Sequence, residues 1–387
     1  MSFSRRILNL KESGTLKVLD KVKEMQSKGI NVLQLDVGEP DFKTPDNVIN
    51  AAILAIEEGF THYTPAAGIP ELREAVSAKL RDENRLDWIK KENVILTPGS
   101  KQALFYSIMT LVGEGDEVII PTPAWPSYME MVTVAEGHAK LVPSSEKFRI
   151  DINGINEAIS ERTKVIMINS PSNPTGYVAS KEELRAIAEI ANDHRIYVIS
   201  DEIYEKMIYD GEQISLGTFP GMDELSITIN GFSKAYAMTG WRLGYAAASK
   251  PILSAMIKLQ QHSASSPASF VQKAGLAALG PDTPIKPMVD EFRRRRDYIC
   301  AALKKIGKFS FDIPAGAFYL FPDISETGMK SDDFCGLLLE KGGVSTTPGA
   351  SFGGYDDNIR ISYANSMENL EAALARIENL ARSLKVI

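Results

Sequence analysis

The sequence predicts an α/β protein: a large domain with a mostly parallel, doubly wound sheet, joined to a smaller α+β domain. Three observations carry this reading. From Asn93 onward, short Val/Ile-rich runs alternate with amphipathic helical stretches, the pattern of repeated β-α-β winding. Most runs are continuously apolar, as strands covered on both faces are. Near Gly280 that texture ends and shorter mixed elements follow. A chain of 387 residues can bury a core in each of two such units.

Residues 1–45 are expected to join the smaller domain, and the large domain runs from 46 to 280. Its strands are predicted at 93–97 (NVILT), 117–121 (EVIIP), 164–169 (KVIMIN), 196–200 (IYVIS), 226–230 (SITIN) and 244–249 (GYAAAS). SITIN alternates Ile with Ser and Thr, which suggests a half-buried strand. Between strands, 181–195 (KEELRAIAEIANDHR) sets Leu184, Ile187 and Ala188 on one helical face. PDTPIKP (281–287) reads as a linker into the smaller domain, 281–387, which starts with a long helix. After it come 309–314 (FSFDIP), 317–324 (AFYLFPDI), a helix near 331–341, 358–364 (NIRISYA) and a final helix. The run Arg293–Arg296 lies in the long helix and reads as a solvated face.

Composition removes several function classes. A net charge of −7 argues against a nucleic-acid surface or an anionic membrane. Two cysteines, Cys300 and Cys335, make no disulfide framework, and a reducing cytoplasm fits them. The four histidines (His62, His138, His194, His262) lack ligand spacing, so no metal site is expected. The start, MSFSRRILNLKESG, lacks the apolar core of a signal peptide, and no apolar run approaches membrane-span length.

The chemistry-bearing residues sit just after strands, where ligands of doubly wound sheets bind. GFSKAYAMTGWRLGY (231–245) places Lys234 and Arg242 among small and apolar residues. A buried ammonium is costly unless paired, and bonding to an aldehyde removes its charge. NVILT leads into PGSKQAL (98–104), a helix start whose free N–H groups suit a phosphate or merely make a capped turn. IYVIS runs into Asp201, Glu202 and Tyr204. No G-x-x-x-x-G-K-[ST] or G-x-G-x-x-G accompanies them, so Asp201 is free to serve a pyridinium nitrogen or to cap a helix. Asn173 in NSPSNPTG (169–176) suits a turn. Trp125 suits a core or a stacking plate. Arg360 alternates with Ile359 and Ile361, a position that usually faces solvent. As a set they supply what pyridoxal 5′-phosphate requires: an imine-forming lysine, an acid for the ring nitrogen, a phosphate seat with a nearby arginine, and an aromatic plate.

These stretches, together with VGEPDF (37–42), THYTPAAGIPELREAV (61–76) and SDEIYE (200–205), resemble the fold-type I, class I aminotransferases of the aspartate aminotransferase group, prokaryotic branch. The resemblance spans nearly the whole chain. It implies Lys234 as the cofactor-bonding lysine and proton shuttle, Asp201 as partner of the pyridine nitrogen, and Tyr204 and Asn173 beside the ring oxygen. Trp125 would stack on the ring. Arg242, Ser100 and Lys101 would hold the phosphate. Arg360 and Gly38 would bind the substrate α-carboxylate, with Trp125 and Asn173 also touching substrate. Tyr63 would cross to the phosphate of a neighbouring subunit, which implies a homodimer. SGT (13–15) would close over the substrate.

Two departures from the pattern stand out. Gly231 occupies a position where some members have a phosphate-binding serine, so Ser233 is the substitute. No arginine lies in 259–269 to read a distal carboxylate, so Lys101 is the candidate. The implied reaction is ping-pong transfer between an amino acid, foremost aspartate or glutamate, and a 2-oxo acid such as 2-oxoglutarate. Aromatic, alanine or prephenate transamination and C–S β-elimination are the alternatives. A DNA-binding regulator on the same fold is disfavoured by the short stretch before VGEPDF.

Overall fold

The structure is a computed structural model that describes residues 3–11 and 14–384. The Val/Ile-rich runs pair into one seven-stranded sheet. Its strands are β1 (Val94–Thr97), β2 (Glu117–Thr122), β3 (His138–Pro143), β4 (Thr163–Asn169), β5 (Tyr197–Asp201), β6 (Ser226–Gly231) and β7 (Gly244–Ala248). They lie in the order β1-β7-β6-β5-β4-β2-β3. Only β7 runs against its neighbours, β1 and β6. The apolar runs are continuous because both faces are covered. In β4, Val165 and Met167 enter one core cluster, while Ile166 and Ile168 enter the cluster on the opposite face. Helix Lys181–His194 covers that second face with Leu184, Ile187 and Ala188. Its start is fixed by a capping box between Ser180 and Glu183, a device of about 1 kcal/mol.

Two sequence expectations need correction, and one strand went unpredicted. SITIN is not half-buried: every residue of β6 is enclosed, because β5 and β7 flank it and both faces are packed. Its Ser and Thr are buried polar residues. The arginine run is not a solvated face throughout. Arg295 and Arg296 are each 5% exposed, and carboxylates compensate their charge. Arg295 holds Asp41 through two bonds (2.6 and 3.0 Å) and also Glu291, and Arg296 pairs with Asp210 and Asp297. Strand β3 escaped the sequence reading because it is an edge strand with one buried residue, Val142, and no apolar run.

Beyond the sheet, helix Lys286–Ile306 packs with helix Met367–Ser383. A small antiparallel sheet joins Thr347–Pro348, Ile359–Ser362 and Tyr319–Leu320. Of FSFDIP, only Ser310 makes a bridge, to Asp323. Leu33–Gln34 pairs in parallel with Val344–Ser345, and Leu35 shares a core cluster with Phe318 and Ile361. The backbone leading to Gly38 is therefore anchored against the C-terminal part of the chain.

Register brings the chemistry to one edge of the large sheet. Asn169 lies opposite Asp201, Asp201 opposite Ile229, and Gly231 opposite Gly244, which also faces Thr97. The segments leaving β1, β4, β5 and β6 consequently emerge side by side.

Candidate active site

Those segments and the loop at Gly38 enclose a cleft of about 430 Å³ lined by Gly38, Ser100, Lys101, Trp125, Asn173, Asp201, Tyr204, Ser233, Lys234, Arg242 and Arg360. Eleven of the twelve residues singled out from sequence converge there. The exception is Tyr63, which is 95% exposed and borders a separate surface groove with His62 and Ser263. Ser13, in the segment expected to close over substrate, lies outside the described residues.

Lys234 follows β6 and donates from Nζ to the Gly38 carbonyl at 2.5 Å. Its ammonium also lies 5.8 Å from the Tyr204 ring and 5.6 Å from Phe318. Burial pulls its pKa down to about 8; Glu39 opposes this, while Arg360 and Arg242 add to it. Asp201 ends β5 with each oxygen engaged. Oδ2 accepts from the Tyr128 hydroxyl at 2.7 Å and Oδ1 from the Ile203 N–H at 3.2 Å. Burial pushes its carboxyl up to about 6, and both hydrogen bonds restrain the rise.

The helix Ser100–Leu111 starts at the cleft after Gly99, whose φ of +85° disfavours other residues. A Cβ there would also strike the Arg242 guanidinium, so glycine lets that cation approach the helix start. Ser100 and Lys101 begin the helix, where N–H groups have no carbonyl one turn earlier to bond. Arg242 is exposed rather than buried, contrary to the sequence reading, and its Nη1 bonds the Thr239 carbonyl at 2.8 Å. The Lys101 ammonium stacks 4.7 Å from the Trp125 ring. Although the residue as a whole is exposed, crowding by the cleft wall and then Arg242 lower its pKa. Among the described residues, neither cation has a carboxylate within 4 Å, so both charges are available to an anion. Gly231 has a packing reason for lacking a side chain: a Cβ would sit 2.9 Å from Gly244 Cα. Ser233 is buried, lines the cleft, and its hydroxyl makes no hydrogen bond to the described residues.

Arg360 is buried, 4% exposed, and does not face solvent as its alternation suggested. Its strand is covered on both sides. Nη1 donates to Asn173 Oδ1 at 3.0 Å, and Nη2 to the Asp36 carbonyl at 2.6 Å and Thr347 Oγ1 at 3.2 Å. Its Nε is buried without a partner. Among the described residues no carboxylate oxygen lies within 4 Å of this guanidinium. A buried cation so placed can gain an anionic partner from a ligand.

Sequence reasoning missed Tyr128, Tyr319 and Asn169. Asn169 donates to the Asp201 carbonyl and accepts from the Asn173 N–H, so it braces two site segments. Tyr128 lies one turn after Trp125 on helix Pro126–Val134, and that spacing could have found it. The donor set fits a phosphorylated pyridine aldehyde: an amine whose pKa is lowered to about 8, a buried carboxyl for the ring nitrogen, a flat indole, and a cationic helix start.

The comparisons with known proteins agree with this geometry. The family described as "Aminotransferase class I and II" matches residues 30–377. The aspartate aminotransferase of Geobacillus stearothermophilus is 43% identical over 387 residues, covering 97% of this chain and 98% of that protein. The solved aspartate aminotransferase from Thermus thermophilus with maleate has a TM-score of 0.94 and 41% identity, covering 98% of this chain and 100% of that one. An aromatic aminotransferase from Pyrococcus horikoshii has a TM-score of 0.89 and 38% identity, covering 96% and 100%. The chain belongs to the class I and II aminotransferases, and it moves amino groups between amino acids and 2-oxo acids with pyridoxal 5′-phosphate as cofactor.

Proposed function

We propose that the substrates are aspartate and glutamate, with 2-oxoglutarate as acceptor. The observation that carries this reading is a pair of cations on the cleft wall, buried Arg360 and Lys101, neither of which has an acid partner among the described residues. A dicarboxylic amino acid neutralises both. The likeness to aspartate aminotransferases supports it.

The roles follow from the side chains. Ser100, Ser233, Arg242 and the backbone N–H of Lys101 hold the cofactor phosphate, Trp125 covers the ring, and Asn173 and Tyr204 serve the ring oxygen. When bound, the cofactor supplies an electron sink at the carbon that loses its proton. Asp201 keeps the ring nitrogen protonated, which requires an ionised carboxylate. With its pKa near 6, Asp201 is mostly ionised at neutral pH. Arg360 and Gly38 hold the α-carboxylate, Arg360 as a planar fork. Lys234 would shuttle the proton between the substrate's α-carbon and C4′ of the cofactor. A pKa near 8 leaves a useful amine fraction at neutral pH, where an ordinary lysine has almost none.

We further propose a large unit of residues 46–280 and a smaller one of 281–387 joined by residues 1–45, a homodimer with Tyr63 reaching the neighbouring site, and a cytoplasmic setting. Buried, unpaired Cys300 and Cys335 suit a reducing compartment. Among the described residues, no helix is long and apolar enough to cross a membrane.

The test is a panel of donors (aspartate, alanine, phenylalanine, prephenate's amino product) with 2-oxoglutarate, and glutamate with oxaloacetate, following the new amino acid. Aspartate should give the highest kcat/KM. A clear preference for phenylalanine would move the assignment to the aromatic reading, which the Pyrococcus neighbour favours. Release of pyruvate with ammonia and thiol from a cysteine conjugate would move it to a lyase.

A further inference from the structure

Tyr319 touches three of the site groups without having been assigned a part. Its short strand pairs with Ile361–Ser362, next to Arg360. Its ring therefore lies 4.7 Å from the Arg360 guanidinium. Its hydroxyl lies 2.8 Å from the Tyr204 hydroxyl, and both phenols are buried. That hydroxyl also fills the space where a Gly38 side chain would begin, since a Cβ at Gly38 would collide with it. The same Gly38 carries the carbonyl that holds Lys234.

Geometry alone lets either phenol donate in the Tyr204–Tyr319 bond. Proton counting decides it. Tyr204 has one hydroxyl proton. If that proton is directed into the cleft, the bond with Tyr319 must be donated by Tyr319. Among the described residues, Tyr319 Oη has no other hydrogen-bond partner, so nothing competes for its proton. The positive charge of Arg360 on its ring makes its O–H a stronger donor. Donors in series polarise one another, so the Tyr204 O–H is strengthened in turn.

We infer that Tyr319 is a positioning residue with two separable parts: its hydroxyl donates to Tyr204 and directs the Tyr204 proton into the cleft, and its ring seats Arg360. The inference rests on the reading of Tyr204 as the phenol facing the cofactor's ring oxygen.

The test is a pH titration of the holoenzyme's visible absorbance in the wild type, Tyr204→Phe, Tyr319→Phe and the double variant. Cofactor dissociation constants and thermal midpoints are measured alongside. A donor to the ring oxygen favours the deprotonated, more negative form of the chromophore, so losing it raises the midpoint. Tyr204→Phe should raise it by about one unit, a tenfold change in proton affinity. Tyr319→Phe should raise it by roughly half as much, as a bond acting at second hand does. The double variant should match Tyr204→Phe alone. For the ring, Tyr319→Phe should leave amino-acid KM near wild type, whereas Tyr319→Leu should raise it several-fold, on the order of a lost cation–π contact.

An unmoved midpoint in Tyr319→Phe, beside a shifted one in Tyr204→Phe, overturns the relay while the Tyr204 reading stands. An unmoved midpoint in Tyr204→Phe overturns that reading and the relay with it. Additive shifts in the double variant mean that Tyr319 acts without Tyr204, and equal KM for Tyr319→Phe and Tyr319→Leu removes the ring's part. General damage to the fold lowers thermal midpoint and cofactor affinity without moving the titration, which also counts against the relay.

Discussion

Arg360 holds a full charge at 4% exposure with an unpartnered Nε. Its bonds go to neutral oxygens, which orient the fork without neutralising it. Arg360→Lys keeps the charge but loses the planar fork. We expect kcat/KM to fall by about 2–4 kcal/mol for every amino acid donor. Equal loss with an amine that lacks an α-carboxylate would count against the role. Lys101 poses the complementary question, because its ammonium rests on Trp125 and near Arg242. If it reads the distal carboxylate, Lys101→Ala should cost aspartate and glutamate about 1.5–3 kcal/mol while alanine and phenylalanine change little. A uniform loss across the panel would assign it to the phosphate instead. Both residues were legible in the sequence as members of motifs. Tyr319 was not, because its meaning lies in a contact to Tyr204, 115 residues away in sequence.

The strands place the site, and their legibility varied with burial. The central strands were readable because covering both faces demands a continuous apolar run, as in β4. Edge strand β3 has no such demand and left no signal. The helix with the arginine run was readable as a helix, but the partners that let Arg295 and Arg296 be buried come from Asp41 and Asp210, far along the chain. A similar buried charge at the start of β2 gives a pH prediction. Glu117 accepts from Ser160 and pairs with Lys140 and Arg162, which, with Lys140 foremost, hold its carboxyl down from 4.5 to about 2. A depressed carboxyl stabilises the fold above its unfolded value. That contribution is present above about pH 4.5 and is lost as pH falls towards 2. Glu117→Gln should therefore lower the thermal midpoint at pH 7 and lose less stability than wild type on going from pH 5 to 3. Parallel loss in the two proteins across that range would refute the assignment.

At the scale of the whole molecule, the cleft of one chain contains every proposed cofactor contact except Tyr63. Tyr63 stands on the surface at 95% exposure, and helix Asp46–Glu57 exposes Ile53, Leu54 and Ile56. A surface tyrosine with nearby apolar residues suits a self-complementary interface, in which each chain completes the other's site. Complementation tests that arrangement directly. Lys234→Ala removes the lysine, and Tyr63→Ala weakens the phosphate seat, so each homodimer should be poorly active at limiting cofactor. Subunits of the two are mixed in equal amounts and allowed to exchange. If Tyr63 serves the neighbouring chain, each mixed dimer has one site with both defects and one site with neither. Half the dimers are mixed, so activity should recover to roughly a quarter of wild type. If Tyr63 serves its own chain, every site in the mixture carries one defect, and activity stays at the mean of the two parents. The second result, obtained with subunit exchange verified by mass, would remove Tyr63 from the neighbouring site.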